Sequence, residues 1–171
     1  MPFPWDSDVP VVDEPGTHQF GDFVVTAVEG KHADPYGKEF GQRNTLMVVE
    51  AAGLRIVHIG DNGPLTPGQI EDLGRVDVLM IPADDIDHIL SKEAAADIID
   101  ALDPRIVIPM HYRLPDLESE ADSPSDLGEI DGWLLGRDGV RRLGSHIERL
   151  IALRLPVARE YIVFDHAPYV E

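Results

Sequence analysis

The chain has 171 residues, enough for one domain, and 43% of them are hydrophobic, which separates it from a disordered acidic tail. It contains no cysteine, which excludes disulfides, thiolate zinc sites and cysteine nucleophiles, so any transition metal must be held by His, Asp or Glu. The formal net charge is −18, a field that repels phosphate backbones and anionic membranes, so we expect no nucleic-acid or membrane partner.

The acidic residues are spread along most of the chain rather than clustered. A surface shaped for one cationic partner would concentrate its carboxylates in a patch. The spread instead favours an acidic surface adapted to high salt, where screening removes the repulsion between like charges.

The first residues, Met1 to Asp6, carry neither a basic segment nor an apolar run typical of a secretory signal. No apolar stretch reaches the roughly 18 residues that a membrane-spanning helix needs. We therefore expect a cytoplasmic protein.

The first third of the chain predicts mainly strands. Residues 1–20, rich in Pro, Asp and Glu, predict an extended N-terminal arm. A β-branched strand is predicted at 23–28, followed by a glycine-containing loop at 30–43. Strands at 44–50 and 54–59 are predicted to form a hairpin.

The rest of the chain alternates helices and strands. One helix begins at a Thr66 cap that is followed by Pro67 and Gln69, and ends near Gly74. The later predicted elements are a strand at 77–82, a helix from a Ser91 cap to Leu102, a strand at 105–110, an acidic loop at 113–132, a helix at 139–154 and a strand at 161–164. This alternation predicts an α/β architecture within one domain spanning 21–171.

Three strand ends carry side chains that suit a metal ion. His32 follows the first strand, Asp61 follows the strand 54–59, and His111 follows the strand 105–110. Loops at strand ends are where α/β folds place their sites. Two imidazoles and a carboxylate are ligands that zinc, manganese or iron accept.

The order of these motifs resembles the metallo-β-lactamase superfamily. A strand-end histidine is followed by His-Ile-Gly-Asp-Asn-Gly, then by Val-Asp-Val-Leu-Met-Ile-Pro, then by Pro-Arg-Ile-Val-Ile-Pro-Met-His-Tyr. The similarity runs from about Pro15 to Tyr112. It is greatest to the branch of metal-dependent hydrolases related to the ascorbate-6-phosphate lactonases.

The resemblance implies the second half of an αββα sandwich with a mixed sheet and flanking helices. It implies that His32, Asp61 and His111 are metal ligands, that Asp61 bridges two metals, and that His58 supports them. It further implies hydrolysis of an ester, lactone, amide or phosphodiester by metal-activated water, with Asp61 and His111 as the catalytic residues and zinc, or manganese or iron, as the metal.

The chain also departs from the family. The family's His-x-His-x-Asp-His motif, which supplies most of its metal ligands, is absent, and His18 does not match it. Where the family usually has small residues after the Ile-Pro strand, this chain has an acidic loop containing Asp84, Asp85, Asp87 and His88.

Three explanations remain open. The chain is a piece of a longer enzyme, or a half-fold that kept the architecture without the chemistry, or it has rebuilt a site from the Asp84–His88 loop. The alternative for that loop is a helix-capping role. Metal content separates two functions: a stoichiometric dinuclear centre favours a hydrolase, and a metal-free chain with an intact fold favours a non-catalytic module that assembles or binds a partner. With only the three predicted ligands, we expect weak binding of one ion or none.

Other residues are weaker candidates. Ser91 and Ser145 lack the glycines of a nucleophile elbow, and His146 and His166 lie outside the resembling region. Trp133 predicts a local hydrophobic anchor.

A partner is also expected. The apolar strands 77–82 and 105–110 would leave one sheet face bare in a half-fold, which predicts a twofold homodimer buried through that face. The alternative is that the N-terminal arm and the predicted helix at 139–154 fold back over the face within one chain.

Overall fold

The computed structural model describes residues 10–33, 42–114 and 127–165. Its strands are β1 (Gly16–Phe20), β2 (Phe23–Lys31), β3 (Arg43–Ala51), β4 (Leu54–His58), β5 (Val78–Pro82), β6 (Ile106–Met110), β7 (Val140–Arg142) and β8 (Glu160–Val163). Its helices are α1 (Pro67–Leu73), α2 (Lys92–Leu102) and α3 (Ile130–Leu134), with a 3₁₀ turn at Ala152–Arg154.

These elements form one mixed eight-stranded sheet in the order β1-β2-β3-β4-β5-β6-β8-β7. Strands β1 to β4 are an antiparallel meander, and the β3–β4 hairpin closes on Ala52 and Gly53, both at positive φ as a type I′ turn requires. From β4 onward every pairing is parallel. The predicted α/β class with a mixed sheet is confirmed.

Both predicted helices that link the parallel strands begin at the predicted caps. Thr66 accepts from the Gln69 backbone while the Gln69 side chain accepts from the Thr66 backbone, a complete capping box. Ser91 accepts from the Ala94 backbone at 3.1 Å. These caps satisfy backbone N–H groups that no helical carbonyl can reach.

The main hydrophobic core lies between one face of the sheet and the three helices. Leu46, Val57, Leu79 and Val107 come from adjacent strands and are fully buried there. Their partners across the layer include Leu73, Ala95, Ile98, Ile99 and Trp133. Successive side chains of a strand point to opposite faces of the sheet, so the intervening residues of these strands lie on the second face.

That second face carries a smaller core, and here the predicted helix at 139–154 is wrong. Val78, Ile106 and Ile162 are covered by an irregular stretch through Leu143, Leu150 and Leu155. Val140–Arg142 is instead a strand, parallel to β8. Gly139, at φ +76°, starts the segment outside helical geometry, and Gly144, a poor helix former, interrupts the predicted helix.

Two further predictions need correction. The predicted arm contains strand β1 at Gly16–Phe20, while residues 1–9 lie outside the described residues. The predicted acidic loop at 113–132 contains the start of α3, and its residues 115–126 lie outside the described residues. None of the helices in the described part of the chain combines the length and hydropathy that a membrane crossing requires.

The topology brings four strand ends to one edge. Strands β4, β5 and β6 are parallel, so their carboxyl ends share an edge. Strand β2 runs in the same direction as β4, because β3 is antiparallel to both. The residues that follow β2, β4, β5 and β6 therefore meet.

Candidate metal centre

His32, Asp61 and His111 converge at this edge. The Nε2 atom of His32 lies 3.6 Å from Oδ2 of Asp61, and the Nε2 atom of His111 lies 3.5 Å from the same oxygen. The three side chains are about equally accessible, at 29%, 31% and 29%. The structure thus brings together the three residues predicted as ligands.

The two distances carry chemical information. They exceed the 2.7–2.9 Å typical of a charge-assisted hydrogen bond between nitrogen and carboxylate. Ligands held about 2.1 Å from one tetrahedral ion lie roughly 3.4 Å apart. The distance from each imidazole nitrogen to the Asp61 oxygen is therefore close to the distance between two ligands of one metal ion.

The ligand shell is nevertheless incomplete. Within the described ranges, no group of three or more His, Asp or Glu side chains is arranged so that it could hold a metal ion as it stands. Among the described residues, the Nδ1 atoms of His32 and His111 are buried and have no hydrogen-bond partner. A metal-ligating imidazole normally donates its other N–H to a carboxylate or carbonyl. The donor types fit zinc, manganese or iron. The described residues nevertheless supply too few ligands, and they do not supply the hydrogen bonds that normally orient the two imidazoles.

A backbone ladder places His32 beside Asp61. His32 forms an isolated antiparallel bridge with Asn62. The Ala33 N–H donates to the Asp61 carbonyl at 2.8 Å, and the Gly63 N–H donates to the Lys31 carbonyl at 3.1 Å. The end of β2 is thereby bonded to the turn that follows β4.

Two asparagines secure this turn. Oδ1 of Asn62, a residue only 2% exposed, accepts from the Lys31 backbone at 2.8 Å and from Nδ2 of Asn44 at 3.2 Å. Nδ2 of Asn44 also donates to the Ile59 carbonyl at 2.8 Å, and Nδ2 of Asn62 donates to the Gly63 carbonyl at 2.8 Å. The side-chain amides of Asn44 and Asn62 therefore position His32 and Asp61 through hydrogen bonds to the backbone of neighbouring residues.

Gly60 is required by the same packing. Its φ is +55°, a left-handed conformation, and a Cβ there would lie 2.8 Å from Oδ1 of Asn44. A side chain at this position would be strained and would displace the asparagine.

His111 has an unusual backbone. It directly follows β6 and has a φ of +60°, which few non-glycine residues adopt. The Ala83 N–H donates to the Met110 carbonyl at 2.9 Å, which ties the ends of β5 and β6 together just before this residue. Such conformations persist where surrounding structure enforces them, and they cluster at functional sites.

His58 supports the turn rather than joining the cluster directly. Its Nδ1 accepts from the Gly60 N–H at 3.0 Å, which requires an unprotonated Nδ1. Burial lowers the pKa of His58 below its ordinary value of 6.5, and the Asp61 carboxylate opposes this only in part. A neutral His58 holds the turn that carries Asp61.

The carboxylates of the Asp84–His88 loop are used by backbone N–H groups. Asp84, only 3% exposed, accepts from the backbones of Ile86 and His88 through Oδ1 and from Gly128 through Oδ2. Asp85 accepts from the Glu129 backbone at 2.8 Å. These bonds support the capping alternative for the loop.

Of the two remaining loop residues, Asp87 also accepts from a backbone N–H, whereas His88 contacts the cluster. Asp87 accepts from the Lys92 backbone, at the start of α2, at 3.1 Å. His88 is the member that approaches the cluster, since its ring stacks on His111 with centroids 5.5 Å apart. His146 is exposed, and His166 lies outside the described residues.

Comparisons with known proteins identify the family to which the chain is similar. Residues 3–111 match the model of a family described as the beta-lactamase superfamily domain. A UPF0173 metal-dependent hydrolase of Desulforamulus reducens is 30% identical over 103 residues, covering 57% of this chain and 45% of the relative. A UPF0173 protein of Pyrococcus furiosus is 37% identical over 87 residues, covering 49% of this chain and 39% of the relative.

A solved structure extends the match over most of the fold. A proposed zinc-dependent hydrolase of the metallo-β-lactamase superfamily from Thermotoga maritima aligns with a TM-score of 0.72 and 28% identity. The alignment covers 91% of this chain and 71% of that one. This chain spans less than half the length of the two curated relatives described above.

Proposed function

We propose that this chain, which belongs to the beta-lactamase superfamily, contributes to metal-dependent hydrolysis. The observation that carries the proposal is the approach of two imidazole nitrogens to one oxygen of Asp61, at 3.6 and 3.5 Å. The names of the relatives, which include metal-dependent hydrolases, support the same class of reaction.

His32, Asp61 and His111 would hold the ion. When bound, the metal supplies the Lewis acidity that lowers the pKa of a water molecule toward ~7. Asp61 would accept a hydrogen bond from a water molecule at the site and orient it toward an ester, lactone, amide or phosphodiester. His58, neutral and bonded to Gly60, keeps the Asp61 turn in place.

Because three ligands form an incomplete shell, we expect weak binding of one ion, with zinc favoured over manganese or iron by the imidazole ligands. Isothermal titration of Zn²⁺ into the chelator-stripped chain measures this directly. Asp61→Ala should weaken binding at least tenfold, because it removes the shared ligand. His146→Ala, an exposed histidine outside the cluster, is the matched control and should leave binding unchanged.

Hydrolysis is tested on the same metal-loaded samples with p-nitrophenyl acetate and bis-p-nitrophenyl phosphate. Activity that requires the metal and disappears in Asp61→Ala supports the proposal. Metal binding that is as tight in Asp61→Ala as in the native chain, or turnover that does not depend on added metal, would contradict it.

A non-catalytic role is the second candidate. It is favoured by the incomplete arrangement of ligands in the part of the chain that the structure describes. A chain that folds fully, binds no metal and hydrolyses neither ester supports this module over the hydrolase.

A further inference from the structure

Three adjoining cavities form a furrow at the end of the sheet opposite the candidate metal centre. The first, about 640 Å³, is lined by the β3–β4 turn, Asp22 and Arg75. The second, about 450 Å³, shares Arg75 and extends past Arg105 to Val157. The third, about 390 Å³, continues through the stretch 148–156. We call this surface the basal furrow.

Exposed apolar side chains lie in the basal furrow, at Val157 and Ile151, or next to residues that line it, at Leu153 and Phe23. Leu153 is 97% exposed, Val157 90%, Phe23 52% and Ile151 44%. Phe23 follows Asp22 at one end, and the other three belong to the segment that lines the second and third cavities. Exposed apolar residues gathered along a concave surface mark a contact site rather than the scattered exposure that any surface shows.

The two ends of the basal furrow carry unpaired charges of opposite sign. At one end Glu50 is paired with Arg55, and Asp22 has no ionic partner among the described residues. At the other end Arg149 and Arg154 have none within the same ranges. Segment 139–160 holds five arginines and two glutamates, a net charge of +3, in a chain whose net charge is −18.

We propose that the basal furrow is the contact surface between two copies of this chain related by a twofold axis. A twofold axis through the middle of the furrow places the Asp22 end of each copy on the Arg149–Arg154 end of the other. Opposite charges then meet at both ends, Val157 of each copy lies near the axis, and Ile151 and Leu153 of each copy face the Asp22 end of the other. An anionic membrane or an acidic peptide would match the arginines and leave Asp22 facing negative charge.

This contact differs from the bare sheet face that the sequence suggested, because Leu143, Leu150 and Leu155 already cover that face in part. It also leaves both candidate metal centres open, since they lie at the opposite edge of each sheet. The rest of each copy is strongly acidic and repels the other copy. The basal furrow includes part of the positively charged segment 139–160, so the repulsion is weakest there.

Sedimentation velocity and light scattering on the full chain test the contact. We expect a species of twice 18.9 kDa at micromolar concentration. Leu153→Ser, made in both copies at once, should raise the dimer Kd at least tenfold. Leu135→Ser is the matched control, because Leu135 is 86% exposed but lies outside the basal furrow.

Charge reversal tests the twofold pairing itself. Arg154→Asp and Asp22→Arg should each raise the dimer Kd several-fold, and the double variant should restore it. Asp22→Arg makes the chain less negative, so general repulsion between the two copies decreases. A weaker dimer in this variant could therefore not be explained by that repulsion. Lys92→Glu, which changes the net charge as Arg154→Asp does, should have no comparable effect.

A clean 18.9 kDa species at 200 µM would overturn the proposal. So would a dimer that Leu135→Ser weakens as much as Leu153→Ser does, or one whose charge-reversed variants do not rescue each other. Circular dichroism of each variant establishes that it is folded before its mass is compared.

Discussion

Asn44 and Asn62 are joined by a side-chain hydrogen bond of 3.2 Å between the turn carrying Asp61 and the strand beside β2. Asn62 is buried and uses its oxygen twice and its nitrogen once, for the Lys31 backbone, Asn44 and the Gly63 carbonyl. The geometry of His32 and Asp61 therefore depends on two residues that are not candidate ligands.

Replacing Asn62 by alanine should destabilise the protein by about 1–3 kcal/mol, because buried donors and an acceptor lose their partner. It should also weaken Zn²⁺ binding, since the bridge that sets His32 beside Asp61 loosens. Urea denaturation and metal titration measure the two effects. Gln42→Ala, at an exposed residue before β3, is the control and should change neither; unchanged metal binding in a folded Asn62→Ala would argue against positioning.

In the Asp84–His88 loop, we expect substitutions to affect stability and not metal binding. Asp84→Ala should destabilise the chain by about 1–3 kcal/mol, because three backbone N–H groups lose their acceptor. Asp87→Asn should leave Zn²⁺ affinity unchanged, since its carboxylate accepts from the Lys92 backbone. Loss of metal binding in Asp87→Asn would restore the loop as a source of ligands.

The convergence of the three candidate side chains could be predicted from the sequence because its signal is local. A polar residue that ends an apolar strand is placed at the sheet edge by the strand itself, and parallel pairing brings such edges together. His32, Asp61 and His111 could therefore be selected without knowing the side-chain geometry. The fold class followed from the same alternation of strands and helices.

The supports of the site were missed because their signal is not local. Asn44 lies at the start of a strand and Asn62 in a glycine turn, where an asparagine ordinarily satisfies its own backbone. Only strand pairing between β2, β3 and β4 brings the two amides together. The helix predicted at 139–154 failed for a related reason, since its leucines pack against strands distant in sequence.

His58 makes stability depend on pH. Its pKa is lowered in the folded state, mainly by burial, so the fold favours the neutral ring. The contribution is fully present above the unfolded pKa of about 6.5 and is lost as pH falls toward the lower folded value. The difference in unfolding free energy between the native chain and His58→Ala should therefore be largest above pH 7 and shrink below pH 6.5.

Urea denaturation at pH 8, 7, 6 and 5.5 measures this difference. His146→Ala provides the control, because an exposed histidine should give a difference that does not vary with pH. If the difference in unfolding free energy between the native chain and His58→Ala grows as the pH falls, the fold stabilises the charged ring. That result would contradict the hydrogen bond in which His58 accepts from the Gly60 N–H.

Salt should stabilise this protein. It carries 32 acidic and 14 basic residues, and repulsion among uncompensated charges opposes the compact state in dilute buffer. Salt also weakens ion pairs such as Arg43–Glu14 and Arg142–Asp131, but these pairs are exposed and contribute little to stability. The repulsion is the larger effect, and it is screened over a Debye length of about 10 Å at 0.1 M and 3 Å at 1 M. The thermal midpoint should therefore rise between 0.05 and 1 M NaCl.

A charge-reduced variant separates screening from a general effect of salt on burial. Glu71 and Asp97 are exposed on α1 and α2, and no ionic partner for either is found among the described residues. Glu71→Gln combined with Asp97→Asn should raise the midpoint in dilute buffer, because it removes two repelling charges without breaking an ion pair. In 1 M NaCl, where the screening length is about 3 Å, the same variant should melt with the native chain. A midpoint that is flat with salt in the native chain, or an advantage of the variant that persists at 1 M, would mean that the acidic surface does not limit stability.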